Sequence, residues 1–435
     1  MSRIRFLLRM PWFFYIASVV AFAVRATASI SYEAVRYPDS LGYDTVNFFT
    51  RTDRPWPIPF VFSLAGSDSA RIVVQVILGM SAWIFLASVL SSLTRYGRTA
   101  FALTLVLGLS PQVIRYDVAM LSESLSITFA VTAVAATLYR LRTKSMLSAV
   151  IWGTALTMSA LSRPTHLIVV AVCLLPSFIT FVRSRGRKVT LTMVALLTLF
   201  MAGIVSLRTT SHVSLLNMYT VVSSRVLSDE NRFSWFVERG MPNIPNMRSA
   251  TGYDYAGDLP PDVAAVVQLP VDQQPPQLMR VGGVELATWL KDNGWRTLAQ
   301  YLITHPTDAL SHASQLLEPT LNPPNGDFLP LKNGPMIPWT VFLNWQLWTL
   351  VSCAALIAGL VQRQARSMAL LIAGFLFATW SIYFVTVHTS GIEHVRHATT
   401  VSTMIRVLGL VSLVALLPEK RTTASLDEHG GERSQ

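Results

Sequence analysis

Charge is the scarcest thing in this chain. Only 14% of its residues are Asp, Glu, Lys or Arg, against about 25% in soluble domains. With 51% apolar residues and a mean hydropathy of +0.44, most of the surface is excluded from facing water. Cysteine is nearly absent. Cys173 and Cys353 both fall inside apolar runs, which excludes a disulfide framework. Internal repeats are lacking as well. Acidic residues are outnumbered and the net charge is +11. The basic residues sit in short clusters at the ends of apolar runs. That is the pattern of a rim facing anionic lipid headgroups, and it argues against a nucleic-acid partner.

What is abundant is apolar stretches of the length that crosses about 30 Å of hydrocarbon as helix. Ten recur, near 10–30, 72–94, 99–117, 121–139, 146–162, 165–182, 189–207, 339–361, 367–387 and 398–417. The predicted fold class is an all-α polytopic membrane protein with about ten transmembrane helices. It has a long first outer loop at 31–70 and a loop of about 130 residues, 208–338, between spans seven and eight. With the N-terminus inside, the inner loops Arg3–Arg9, Arg95–Arg98, Arg140–Lys144, Arg183–Lys188, Arg363–Arg366 and Lys420–Arg421 hold sixteen Lys and Arg. The short outer loops hold six: Arg36, Arg51, Arg54, Arg115, Arg163 and Arg396. This bias obeys the positive-inside rule and predicts a plasma-membrane protein with both termini cytoplasmic.

The organisation that follows is an N-terminal transmembrane module, 1–207, an outer loop domain, 208–338, C-terminal spans, 339–418, and a polar tail, 419–435, of disordered composition. Within the outer domain, 284–303 and 306–318 read as helices, with Trp289, Trp295 and Leu298 on one side of the first and Leu310, Leu316 and Leu317 on one side of the second. Arg3–Arg9, the first apolar stretch and Ala26-Thr27-Ala28 together resemble a cleavable signal. The length of that stretch, and Arg25 beside the cleavage position, favour a retained first span.

The residues able to carry chemistry crowd the outer ends of the spans. The first outer loop reads Tyr37-Pro38-Asp39-Ser40-Leu41-Gly42-Tyr43-Asp44. A carboxylate at that depth can serve as a general base near the polar group of a lipid, although turn chemistry also accounts for Asp39 and Asp44. Glu123 opens a predicted helix, where the dipole favours a carboxylate. Arg163 precedes Pro164 at the membrane surface, where snorkelling to headgroups and phosphate binding are both open. Glu393, His394, Arg396 and His397 form a dense cluster between the last two spans. His394 and His397 are spaced to share a helical face and, with Glu393, are candidate ligands for a divalent cation. Arg396 suits a phosphate. Arg406 lies near the middle of the tenth run with no acidic residue deep in any span to pair with it. It must either line a cavity or bond backbone carbonyls. Arg25, closer to a span end, can snorkel.

Three elements resemble bacterial GT-C glycosyltransferases, the superfamily of the protein O-mannosyltransferases and aminoarabinose transferases. They are Asp39-Ser40-Leu41-Gly42-Tyr43 with Arg54-Pro55-Trp56-Pro57, then Ser122-Glu123-Ser124-Leu125, then Ser162-Arg163-Pro164-Thr165. They follow one another in the family's order, all on the outer side, over the first 180 residues or so. The chain departs from the O-mannosyltransferases in carrying Ser40 where they pair the aspartate with Glu, and it has no unmistakable Asp-x-Asp.

The resemblance implies inverting transfer of a sugar from a polyprenyl-phosphate carrier on the outer face. The acceptor would be a cell-envelope glycan, a lipid or a protein. Asp39 would be the base, with Asp44 and Glu123 as further catalytic candidates. Tyr43, Arg54, Arg115, Arg163, His166, Arg396 and Arg406 would bind substrate. Trp235, Tyr253, Tyr255 and Trp289 suit stacking on sugar faces. No cofactor is required beyond a possible divalent cation. A transporter or flippase of a lipid-linked glycan is the alternative from another class, and it calls for polar residues through the span interiors. An inactive scaffold on the same fold is a third.

Overall fold

The structure is a computed structural model describing residues 12–30, 33–36, 57–143, 145–172, 211–244, 247–251, 283–322, 344–362, 366–391 and 394–416. The described residues are almost wholly helical. The one extended contact is a single parallel bridge between Val35 and Ala119. Among the described residues four helices are long and apolar enough to cross a membrane: α1 (Trp12–Ile30), α3 (Asp68–Ser91), α6 (Glu123–Thr143) and α15 (Arg366–Thr389). Between α1 and α3 lies the short α2 (Pro57–Ala65).

A fifth span is broken. α4 (Gly97–Gly108) and α5 (Pro111–Ile114), with the 3₁₀ turn Arg115–Val118, bend by 50°. The sequence expectation of a straight run over 99–117 misses this bend. Its physical cause is Pro111, which starts a new helix because it cannot donate to the old one. The expected spans at 146–162, 339–361 and 398–417 appear as shorter apolar helices: α7 (Met146–Ser162), α14 (Trp345–Val361) and α17 (Thr399–Leu416). Most of 165–182, all of 189–207 and the tail 419–435 lie outside the described residues.

Local chemistry sets the boundaries. Ser67 caps α3, accepting from the Ala70 amide at 3.3 Å, and Ser145 caps α7, accepting from Ser148 at 3.2 Å. α6 begins on Glu123 and ends with Arg140 and Arg142, so both termini carry the charge the helix dipole favours. The inner face of α6 is built of Ala130, Ala133, Ala135 and Ala136, which let α3 and α7 approach closely. Trp83, Leu86, Phe101, Leu125, Val131 and Leu408 are fully buried in the core this creates.

The polar pins through this bundle involve residues the sequence did not pair. Arg25 is 1% exposed and does not snorkel. Its Nε and Nη2 donate to both oxygens of Asp117 at 2.7 and 2.9 Å, and Ser29 and Ser124 complete the carboxylate's partners. The guanidinium lies over Gly79, where any Cβ would collide with it. Gln75 donates to the carbonyls of Asp117 and Ala119 at 2.9 and 3.2 Å. Val35 pairs by backbone with Val118 and Met120 at 2.8 and 3.0 Å. The broken segment 115–120 is thus held from three sides.

The middle of the chain forms a second core. α8 (Ser211–Val221) runs into a π-helical turn, Val222–Val226, followed by α9 (Glu230–Val237). α10 (Gly283–Trp289) leads through a π-turn into α11 (Trp295–Thr304). Phe236, Leu286, Leu290 and Leu298 are buried together. The expected helix over 306–318 divides at Leu316 into α12 (Pro306–Gln315) and α13 (Leu317–Leu321). Leu310 is 63% exposed rather than inward. Ala309 and Ala313 take the inner face, because the close contact with α15 has room only for small side chains.

Candidate functional site

Four chain segments meet where α6 begins and α7 ends. Glu123, the first residue of α6, is 2% exposed. Its Oε1 accepts from Arg163 Nη2 at 2.5 Å and lies 3.5 Å from Arg396 Nε. Arg163 follows the last residue of α7, in extended conformation because Pro164 comes next. Its Nη1 donates to the His397 carbonyl at 2.6 Å, and its Nη2 also reaches Ser122 Oγ at 3.4 Å. Arg396 sits on the short α16 (His394–His397), just before α17. Its Nη2 donates to His397 Nε2 at 3.1 Å.

The fourth segment is the broken span. Thr399 Oγ1 meets the Tyr116 hydroxyl and the Val395 carbonyl, both at 2.8 Å. A threonine hydroxyl has one proton. Thr399 therefore donates to the carbonyl and Tyr116 donates to Thr399. Tyr116 feels the charges of Arg115, Arg163 and Glu123. Arg115 is itself 2% exposed. Among the described residues, three arginines and one carboxylate share a mostly desolvated place, where charge acts far more strongly than in water.

The structure therefore joins Glu123, Arg163 and Arg396, which lie far apart in sequence, and sets Arg115 beside them. Both arginines meet Glu123 through Oε1, while Oε2 has Ser122 Oγ at 3.5 Å. His166 is near but turned to another task. Its Nδ1 faces the Ser159 carbonyl at 3.1 Å, bracing the turn after Arg163. Asp39, Tyr43, Asp44, Arg54 and Glu393 lie outside the described residues. The described chain leaves at Arg36, whose guanidinium pairs with Asp68 at 2.6 Å, and returns at Pro57.

Arg406 is not at this site. It is 0% exposed and bonds carbonyl-type oxygens: Ser402 O at 3.0 Å, Leu321 O at 2.7 Å and Asn322 Oδ1 at 2.8 Å. Of its two sequence explanations, the carbonyl one describes what is seen. The carbonyl belongs to α13, which lies against α17. Trp289 is core, and the Trp235 face is covered by Arg239 at 3.5 Å, so neither offers a free stacking surface. Tyr253 and Tyr255 are outside the described residues.

Of the three metal candidates, Glu393 lies outside the described residues. Among the described residues no three His, Cys, Asp or Glu side chains group as ligands. His397 Nε2 already accepts from a guanidinium, which would repel a cation.

Sequence reasoning missed a further cluster. Arg225, in the π-turn after α8, donates to His388 Nδ1 at 3.0 Å, and the rings of His388 and His312 lie 5.6 Å apart. Burial first, then Arg225, lowers the His312 pKa to about 4, so the ring is neutral. Nothing in sequence spacing links 225, 312 and 388.

Fold and site together describe a helical membrane protein with an arginine-rich polar site at one end of its helices. No family model and no curated protein matches the chain. Among solved structures it is similar to the archaeal oligosaccharyltransferase AglB from Archaeoglobus fulgidus, solved with an inhibitory peptide and a dolichol-phosphate. The identity is 12% and the TM-score 0.42, over 92% of this chain and 50% of that one. This chain thus spans about half the length of that protein.

Proposed function

We propose that this chain is a membrane glycosyltransferase of GT-C type. It transfers a sugar, with inversion, from a polyprenyl-phosphate carrier to a glycan, lipid or protein acceptor on the outer face of the plasma membrane. The observation that carries this reading is the Glu123-centred pair of arginines. Arg163 and Arg396, each from a separate element, are drawn to one carboxylate with Arg115 beside them. Guanidinium forks match phosphate geometry, and buried guanidinium groups favour a phosphate that gains charge as it leaves. The motif order in the sequence supports the same assignment.

In this mechanism the acceptor oxygen attacks the anomeric carbon from the face opposite the phosphate. The bond from that carbon to the phosphate oxygen breaks, and its electron pair leaves with the phosphate, held by Arg163 and Arg396. Asp39 takes the acceptor's proton. Glu123 is assigned instead to holding the two arginines, which both meet its Oε1.

The test is transfer of label from a panel of polyprenyl-phosphate sugars by purified protein, wild type against Asp39→Asn. Loss of a general base costs about a hundred- to ten-thousand-fold in rate. Absence of transfer from every donor by the wild type, or near-full turnover by Asp39→Asn, contradicts the reading.

A further inference from the structure

One turn away from the arginines lies a second set of polar side chains that phosphate binding does not use. Gln112, on α5, is 2% exposed, and neither its amide nitrogen nor its amide oxygen has a hydrogen-bond partner among the described residues. The hydroxyls of Ser110, Thr400 and Thr403 are also buried and without partners there.

Register sets two of these groups, Gln112 and Thr403, each one turn from the same contact. The broken span reaches the site at Tyr116 and α17 departs from it at Thr399, and those two hydroxyls are bonded. Gln112 is one turn back from Tyr116, and Thr403 is one turn on from Thr399. Both therefore lie on the side away from the site's end of the bundle. Thr400 and Thr403 follow Arg396 at spacings of four and seven, on one helical face.

The chemistry of the set is specific. A primary amide offers two donors and an acceptor, and each hydroxyl offers both. Left unpaired at the depth of a span, such groups are costly. An acyl chain would leave them unpaired, and an ion would find no opposite charge among these four side chains. A ring bearing several hydroxyls, each able to donate and accept, satisfies them.

We propose that Gln112, Ser110, Thr400 and Thr403 form an uncharged subsite that binds the hydroxyls of a sugar ring and so selects which sugar is accepted. The proposal rests on the assignment of Arg163 and Arg396 to the carrier's phosphate and adds the sugar's place relative to it. The ring could belong to the donor or to a glycan acceptor.

The test compares wild type, Gln112→Leu and Thr403→Val, each full length in nanodiscs. Three probes are bound: polyprenyl phosphate, the same carrier bearing each of several sugars, and a panel of free disaccharides. Both substitutions keep volume and remove only polar atoms, so thermal stability should hold or rise. The expected result is that affinity for a sugar-bearing probe falls about tenfold in both variants while the bare carrier binds as in wild type. Loss on the carrier-linked probe marks a donor site, and loss on the disaccharide marks an acceptor site. The proposal is overturned if every sugar-bearing probe binds both variants as it binds wild type, if bare carrier is weakened equally, or if wild type binds no sugar. Failure of wild type to bind bare polyprenyl phosphate would instead remove the phosphate assignment, with the disaccharide arm still judging the subsite.

Discussion

Arg25 and Asp117 are 92 positions apart, yet they meet through two hydrogen bonds at 2.7 and 2.9 Å with 1% and 0% of their side chains exposed. This pair fastens α1 to the 3₁₀ turn that ends the broken span. Removing one partner strands a buried charge, which costs about 3–5 kcal/mol. Asp117→Ala should therefore lower the melting temperature in detergent sharply. Arg25→Met combined with Asp117→Leu should recover most of the loss, since an apolar pair of similar volume carries no desolvation cost. A double variant no more stable than Asp117→Ala would show that the charges themselves are needed.

Arg163→Lys separates charge from shape. Lysine keeps an ion pair with Glu123, so stability should change little. The planar fork is lost. Turnover per unit of labelled donor should fall by up to roughly a hundred- to a thousandfold, the size expected for one transition-state contact to an oxyanion. Unchanged kcat/KM would detach Arg163 from the phosphate.

Arg406→Leu addresses a residue that the sequence suggested for substrate. The guanidinium holds Leu321 O and Asn322 Oδ1. Without it the α13–α17 contact loses charge-assisted bonds, at about 1.5–3 kcal/mol each. Thermal stability should drop while donor affinity is kept. A variant of full stability and reduced donor affinity would return Arg406 to the substrate.

Acid should loosen the contact between α12 and α15. His312 has its pKa lowered to about 4 from 6.5, by burial and then by Arg225. The folded state therefore binds fewer protons than the unfolded chain between those values. The stabilisation is full above pH 6.5 and is lost as pH falls toward 4. Arg225, Arg232, Asp308, His388 and His394 all act on this ring. Thermal melts from pH 7.5 to 4.5 should show a flatter decline for His312→Phe than for wild type. Parallel curves would mean that the ring's proton is not released on folding.

Reporter fusions fix the sidedness. The sixteen-to-six bias of basic residues predicts a cytoplasmic signal at Arg185 and Gln364 and an outer signal at Asp258 and Gly391. A cytoplasmic signal at Asp258 would invert the bundle and place the arginine site on the wrong face.

Much of the bundle was legible because span length and rim charge are properties of contiguous sequence. α1, α3, α6 and α15 each coincide with an apolar run ended by polar residues. The bend at Pro111 was readable in principle, since a proline inside a run breaks the helix. The Arg25–Asp117 pair was not. Charge pairing across 92 positions leaves no period, and Asp117 looked like the end of a run. The candidate site was legible as positions rather than as partners. Glu123, Arg163 and Arg396 stood out by residue type. That Glu123 pairs with both arginines follows only from distances. Gln112 was overlooked because a single amide among apolar neighbours carries no motif.

The turn between the last two spans carries one more consequence. Gly391 lies so close to the Thr220 carbonyl that no Cβ fits, and its amide donates to Thr220 Oγ1 at 3.2 Å. Five residues later the same turn delivers Arg396. The end of α8 is therefore seated on the chain five residues before the arginine. The two hydrophobic cores are separate, yet this contact joins the elements around them at one point.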